Sequence, residues 1–119
     1  MMKKQQYSTR SFSSKQEQYV AKMLGGVVSP NSGAAHHAAG DVVIPETMVI
    51  ECKTVTRPVK SWTIKQEWLN QNEKERLDLM LPHSALAISL DPSGENNLYV
   101  INENLMKILV KCIRGDETI

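Results

Sequence analysis

A short β-hairpin motif constrains this chain more than any other stretch of its sequence. Residues 40–53 read GDVVIPETMVIECK, in which two runs of Val, Ile and Met flank a Pro-Glu-Thr turn. Such β-branched runs around a tight turn are typical of two antiparallel strands. If the turn is centred on Glu46, counting outward along both strands places Asp41 opposite Glu51. The sequence therefore predicts two carboxylates at the open end of one hairpin.

The alternation of side chains along the second strand predicts which groups lie together. Glu51 and Lys53 share one face, and Cys52 points to the other. Two carboxylates held close together repel unless a cation lies between them, and hard oxygen ligands suit Mg²⁺. We therefore predict a metal site at Asp41 and Glu51. The alternatives are a turn role for Asp41 and a solvated strand face for Glu51 and Lys53, although the apolar run before Glu51 favours burial.

Length and composition are those of one ordinary globular domain. The chain has 119 residues, of which 41% are hydrophobic and 23% charged, and its formal net charge is +1. That charge alone does not favour nucleic acid as a partner. Two cysteines are too few for a disulfide framework or a zinc pattern, and no apolar run approaches the ~20 residues that span a bilayer. We expect an intracellular, cytoplasmic protein with a flexible polar arm at residues 1–12 and a single domain at residues 13–119.

Hydrophobic spacing and turn residues predict the element order α-β-β-β-α-β-β-α. A capping box at residues 14–17 predicts the start of the first helix. The second helix is expected at about residues 61–81, with its apolar contacts at its two ends because its middle is polar. Asn102 or Asn104 is expected to cap the last helix. The apolar face of the first helix is predicted to comprise Tyr19, Val20, Met23 and Leu24.

This combination of motifs resembles the PD-(D/E)xK nuclease superfamily and, within it, the small archaeal-type and phage Holliday junction resolvases. The likeness covers about residues 13–112. It rests on Glu17 in the first helix, Asp41 before the hairpin and the Glu-Cys-Lys sequence at residues 51–53. The other similar segments are residues 29–33 and 98–109, and the departures are Gly40 in place of a proline and Gln18 in place of a basic residue.

The resemblance implies a restriction-endonuclease-like α/β fold with a central mixed β-sheet flanked by helices. It also implies an endodeoxyribonuclease that depends on Mg²⁺, with Mn²⁺ as a substitute. The implied substrate is branched DNA, in particular a four-way junction, and the implied assembly is a homodimer, with Trp62 or Trp68 as candidate contacts. A prokaryotic or phage origin fits this likeness. The alternatives are another nuclease of the same fold, with nicking, restriction-like or end-processing activity, and a non-catalytic DNA-binding protein.

The site residues implied by the resemblance are Glu17, Asp41, Glu51 and Lys53. The metal would be held by Asp41, Glu51, the backbone carbonyl of Cys52, and Glu17 directly or through water. Lys53 would orient the attacking water and screen the charge of the phosphate. Glu17 also fits the last position of the capping box that begins at Ser14, and that reading stays open beside the metal role.

A second group of polar residues is predicted to contact DNA. These residues comprise a loop serine, several cations and one amide near the start of the second helix. The alternatives are turn chemistry for the serine, a capping box at residues 63–66, and lysines that are simply solvated. The predicted DNA-contacting residues are Ser32, Arg10, Arg57, Lys60, Lys65 and Gln66.

Overall fold

The computed structural model describes residues 9–30 and 41–116. Within these residues the chain forms an α/β fold with three helices and a five-stranded mixed sheet. The elements follow the predicted order. They are α1 (Thr9–Leu24), β1 (Val27–Val28), β2 (Val42–Ile44), β3 (Met48–Thr54), α2 (Gln66–Leu79), β4 (His83–Ser89), β5 (Leu98–Val100) and α3 (Glu103–Arg114).

The strands lie in the sheet in the order of the sequence, β1-β2-β3-β4-β5. Neighbouring strands are antiparallel except β3 and β4, which are parallel and are joined through α2. Val42 pairs with Ile50 and Ile44 with Met48, so the predicted register of the hairpin is confirmed. The turn is centred on Glu46, whose positive φ of 61° reverses the chain.

The two faces of the sheet carry different helices. Ile50 and Cys52 of β3 are buried in a core cluster with Val20 and Ala21 of α1. The alternate residues of β3 face α2, where Lys53 contacts an aromatic ring of that helix. Apolar packing therefore dominates the α1 side, and the α2 side receives the charged residues of β3.

Helix α1 begins earlier than the sequence predicts. It starts at Thr9, so residues 9–12 of the expected arm are helical, and residues 1–8 lie outside the described part. Ser14 lies inside the helix, where its hydroxyl accepts a hydrogen bond from Gln18. The capping-box reading of Glu17 is therefore wrong.

The buried face of α1 also differs from the predicted one. Gln16 and Val20 are fully buried, whereas Met23 and Leu24 are 58% and 40% exposed. The buried stripe follows positions four residues apart, and the half-buried Phe12 extends it upstream. This extension explains why the helix does not begin at the capping box.

Helix α2 buries its polar middle rather than its apolar ends, and the prediction for its packing is wrong. It begins at Gln66, and its buried residues are Asn72 and Glu75. Leu77 and Met80 are 59% and 89% exposed. The physical reason is the strand beneath the helix, because the side-chain amide of Asn72 donates to a backbone carbonyl of β3 at 3.4 Å.

Helix α3 has well-defined ends but little burial. Asn102, one of the two predicted caps, accepts a hydrogen bond from the backbone N–H of Leu105 at 2.8 Å. Leu105 is the buried residue of the helix, and Cys112 is exposed. Among the described residues, no helix combines the length and apolar character needed to cross a membrane.

A buried glutamine joins α1 to three other segments. The side-chain Nε2 of Gln16 lies 2.9 Å from the carbonyl oxygen of Lys53, 3.0 Å from that of Ala87 and 2.7 Å from Oδ1 of Asn97. Gly94 packs directly against this point, since a Cβ there would lie 2.8 Å from Cα of Gln16. Gln16 therefore holds α1 against the ends of β3 and β4.

Replacing Gln16 with Leu is expected to lower the free energy of unfolding by about 1–3 kcal/mol, because it leaves buried carbonyl groups without their donor. Chemical denaturation monitored by circular dichroism measures this change. Gln18→Leu is the matched control, since Gln18 is exposed on the same helix, and its effect should stay within about 0.5 kcal/mol. Equal stability of the two variants would show that the buried amide contributes nothing.

Candidate metal and phosphate site

Asp41 is held in place by the backbone of the opposite strand. Its Oδ2 accepts a hydrogen bond from the backbone N–H of Cys52 at 2.7 Å, and its own N–H donates to the carbonyl of Ile50 at 3.2 Å. The residue is 9% exposed. The hairpin therefore carries the Asp41 carboxylate at its open end, level with Glu51.

Glu51 and Lys53 project to the same face of β3, as the alternation predicts. Nζ of Lys53 lies 3.4 Å from Oε2 of Glu51, and their side chains are 29% and 16% exposed, respectively. Cys52, between them, points into the core on the α1 side. A carboxylate and an ammonium group therefore share one partly buried surface beside Asp41.

The electrostatics of this surface hold Glu51 in its neutral form near pH 7. Burial raises the pKa of Glu51 from its ordinary value of 4.5 to about 8, with further increases from the negative charges of Asp41 and Glu75. The Lys53 ammonium lowers this pKa but does not offset the increase. Burial is the largest cause of this increase, and the neighbouring carboxylates add to it.

Glu75 is a site residue that the sequence analysis missed. It is 7% exposed, and its Oε2 accepts a hydrogen bond from Gln71 at 3.1 Å. A signal was present, because Trp68, Asn72 and Glu75 follow the spacing i, i+4, i+7 and so share one helix face. The half-buried tryptophan marks that face as the one turned toward the sheet.

Glu17 lies on α1, and its charge affects the pKa of Cys52 rather than that of Glu51. It is 8% exposed. Burial raises the pKa of the Cys52 thiol, and the charges of Asp41 and Glu17 raise it further. The charges that act on Glu51 are instead those of Asp41, Glu75 and Lys53. The structure thus brings Glu17 within electrostatic range of Cys52, a protonated core thiol, and its metal role stays a prediction.

The ammonium groups of two lysines lie over the ring of Trp68 in α2. Nζ of Lys53 lies 4.9 Å from the ring centroid and Nζ of Lys65 lies 5.6 Å from it. The ring of Trp62 is 6.2 Å away and tilted by 49°. Cation–π attraction of this kind favours an ammonium group over an aromatic face. Trp68 is thereby a second contact of the Lys53 ammonium group, beside Glu51.

The predicted DNA-contacting residues are only partly gathered at the site. Lys65 lies at the site because its Nζ is over the ring of Trp68. The side-chain amide of Gln66 instead donates a hydrogen bond to Asn70 at 3.0 Å. Arg57 and Lys60 are exposed in the segment between β3 and α2. Arg10 belongs to the first turn of α1, and Ser32 lies outside the described residues. The DNA-contacting roles of these residues stay predictions.

The donor set can be tested for its fit to a magnesium ion. In residues 9–30 and 41–116, no group of three or more His, Cys, Asp and Glu side chains is arranged to hold a metal. Mg²⁺ does not require such a group, because it keeps several waters and binds proteins through one or two carboxylates. Asp41 and Glu51 are two partly buried, mutually repelling oxygen donors, which is the chemistry that a cation relieves. Asp41 and Glu51 are thus donors of the type that Mg²⁺ binds, and the complete ligand set stays a prediction.

Comparison with known proteins does not assign this site to a family. No family model matches the chain, and neither the curated proteins nor the solved structures contain a match. The chemistry of the site is therefore that of its own residues. Asp41 and Glu51 supply oxygen donors for a cation, and Lys53 supplies a positioned ammonium group for an anion.

Proposed function

We propose that this chain is a magnesium-dependent endodeoxyribonuclease, specifically a Holliday junction resolvase that acts as a homodimer. The observation that carries the proposal is that Asp41, Glu51 and Lys53 lie together at the open end of one hairpin. A buried carboxyl group whose pKa is about 8 and a partly buried lysine beside it are costly to maintain without a ligand. Perturbed groups of this kind concentrate at functional sites.

The architecture supports a restriction-endonuclease-like fold. A helix precedes an antiparallel hairpin, and a second helix connects the hairpin to a parallel strand of the same mixed sheet. This arrangement is the one expected from the resemblance. It leaves the open end of the hairpin bordered by α2, which contributes Trp68 and Glu75.

In the proposed reaction Asp41 and Glu51 would hold Mg²⁺ or Mn²⁺, together with the Cys52 carbonyl, and with Glu17 directly or through water. The bound cation supplies a water of lowered pKa and Lewis-acid stabilisation of the phosphate. A cation held there would favour the charged form of Glu51, because its positive charge offsets the effects that raise the pKa of Glu51.

Lys53 acts on the substrate. Its ammonium group contacts the scissile phosphate and orients the attacking water, and its hydrogen-bonding partner Glu51 and the ring of Trp68 hold it in position. Lys65, on the same ring, provides a second cation for the neighbouring DNA backbone. Symmetric cleavage of a four-way junction needs two such sites, which a homodimer provides.

The experiment that tests this function offers the purified protein a set of labelled DNA substrates in Mg²⁺. The set comprises a four-way junction, a fork, a duplex and a single strand. We expect paired symmetric cuts in the junction and much slower cleavage of the others. Ca²⁺ should support DNA binding without cleavage, because Ca²⁺ is larger and does not hold its ligands in the strict octahedral geometry of Mg²⁺. Asp41→Asn is the control variant that should not cut.

Other results would favour the other functions. Equal cleavage of duplex or forked DNA would favour a nuclease of the same fold with a different substrate. Binding of DNA without cleavage in Mg²⁺ or Mn²⁺ would favour a non-catalytic DNA-binding protein. Cleavage in excess chelator, or by Asp41→Asn, would contradict the metal site itself.

A further inference from the structure

Helix α3 exposes a row of large apolar side chains. Met106, Leu109, Val110 and Ile113 are 53%, 41%, 37% and 83% exposed, respectively. They follow the spacing i, i+3, i+4, i+7 and therefore lie along one side of the helix, here called the α3 face. The side that packs on the domain carries Leu105. A continuous exposed apolar row of this kind marks an interaction surface.

The charges beside the α3 face point to its occupant. Glu103 lies in the first turn of the helix and Arg114 in the last. Positions 103, 107, 110 and 114 are spaced by four, three and four residues, so they lie in one row along the helix. This row, which contains Glu103, Val110 and Arg114, forms one flank of the α3 face. The flank is therefore acidic at the start of the helix and basic at its end.

A second copy of the helix complements this pattern only when it runs antiparallel. If two α3 faces meet over their full length in that direction, Glu103 of each copy lies opposite Arg114 of the other, and the helix dipoles also oppose. A parallel two-fold pair would instead set this flank against the opposite flank of the partner helix, so Glu103 and Arg114 would not meet. The ion pairs that these residues make within the chain do not prevent the exchange. Lys107 to Glu103 at 3.5 Å and Arg114 to Asp116 at 3.9 Å are exposed pairs, which contribute little.

We propose that the α3 face binds the α3 face of a second copy of this chain, with the two helices antiparallel. This inference deepens the homodimer of the proposed function by assigning its surface. It differs from the dimer contacts expected at Trp62 and Trp68, because those rings pack against each other and against lysines. Burial of the four α3 face residues against their counterparts supplies the apolar part of the interface.

Sedimentation equilibrium of the full chain, over about 1–100 μM, tests the association, a range that covers the affinities of ordinary dimers. We expect a dimer for the wild type. Ile113→Glu should weaken dimerisation by at least about tenfold, because it places a charge in the contact. Leu77→Glu is the control, since Leu77 is an exposed apolar residue on another helix, and it should leave the dimer intact. Circular dichroism verifies that both variants remain folded.

A charge exchange tests the antiparallel direction. Glu103→Arg and Arg114→Glu should each weaken the dimer by several-fold, because each sets like charges opposite one another. The double variant should restore association, because it swaps the charges at positions 103 and 114 and so again sets opposite charges against each other. A wild-type monomer at 100 μM, an unaffected Ile113→Glu dimer, or a double variant no stronger than either single variant would overturn the proposal. The readout is mass and not cleavage, so a dimer that cuts no DNA would refute the nuclease function and leave this surface in place.

Discussion

Replacing Lys53 with Met is expected to slow cleavage of DNA by about 10²–10³-fold, the range found when one donor to a developing negative charge is removed. Nζ of Lys53 is held by Glu51 at 3.4 Å and by the Trp68 ring at 4.9 Å from its centroid. The ammonium group is therefore positioned before substrate arrives, which is what makes such a charge effective. Methionine keeps the length and packing of the side chain, so the melting temperature should change little.

The matched control for this variant is Lys65→Met. Nζ of Lys65 lies 5.6 Å from the centroid of the same ring, but the contact with Glu51 belongs to Lys53. Loss of Lys65 should lower the affinity for DNA and reduce the dependence of that affinity on salt concentration. The single-turnover cleavage rate at saturating DNA should stay nearly unchanged. If Lys53→Met cut at the wild-type rate, or if both variants lost the same rate, the proposed role of Lys53 would be wrong.

Replacing Glu51 with Gln is expected to stabilise the protein at alkaline pH in the absence of metal. Burial and the charges of Asp41 and Glu75 raise the pKa of Glu51 in the folded state to about 8, from an ordinary value of 4.5. The folded state therefore binds this proton more tightly than the unfolded state does. Its contribution to stability is fully present below about pH 4.5 and is lost as the pH rises through about 8. Each tenfold change in proton affinity corresponds to about 1.4 kcal/mol, so the full loss is on the order of 5 kcal/mol.

Thermal unfolding in chelator between pH 5 and pH 9 measures this effect. The wild type should lose stability relative to Glu51→Gln across the interval, and the variant should melt higher near pH 9. Adding Mg²⁺ should stabilise the wild type by mass action, most strongly at high pH where no proton must be displaced, and should not stabilise Glu51→Gln. Parallel pH profiles for the two proteins would show that Glu51 does not titrate with a raised pKa.

The part of the site on the hairpin follows from the sequence because strand geometry is local. Once the turn is centred on Glu46, a period of two determines that Asp41 and Glu51 lie level and that Lys53 joins them while Cys52 does not. Nothing beyond the segment itself is needed for this deduction. The register was confirmed for the pairs from Val42–Ile50 to Ile44–Met48.

The part of the site supplied by the helices did not follow, because hydrophobic periodicity identifies a buried helix face only when that face is apolar. Asn72 and Glu75 are buried on α2, and Gln16 on α1, although all three are polar. Gln16 and Asn72 are directed inward by groups distant in the sequence, such as the β3 carbonyl that accepts from Asn72. These partners become neighbours only after the chain has folded. The apolar contacts predicted for the C-terminal end of the second helix were also wrong, because Leu77 and Met80 are exposed there.

The side chain of Gln16 has a consequence for how this protein opens. Its amide reaches the carbonyl groups of Lys53 and Ala87 on two parallel strands and the side chain of Asn97 beyond them. Fraying of any one of these segments therefore breaks bonds that also secure the others. We therefore expect the helix, the two strand ends and the loop before β5 to open together, so that local unfolding around Lys53 also loosens α1.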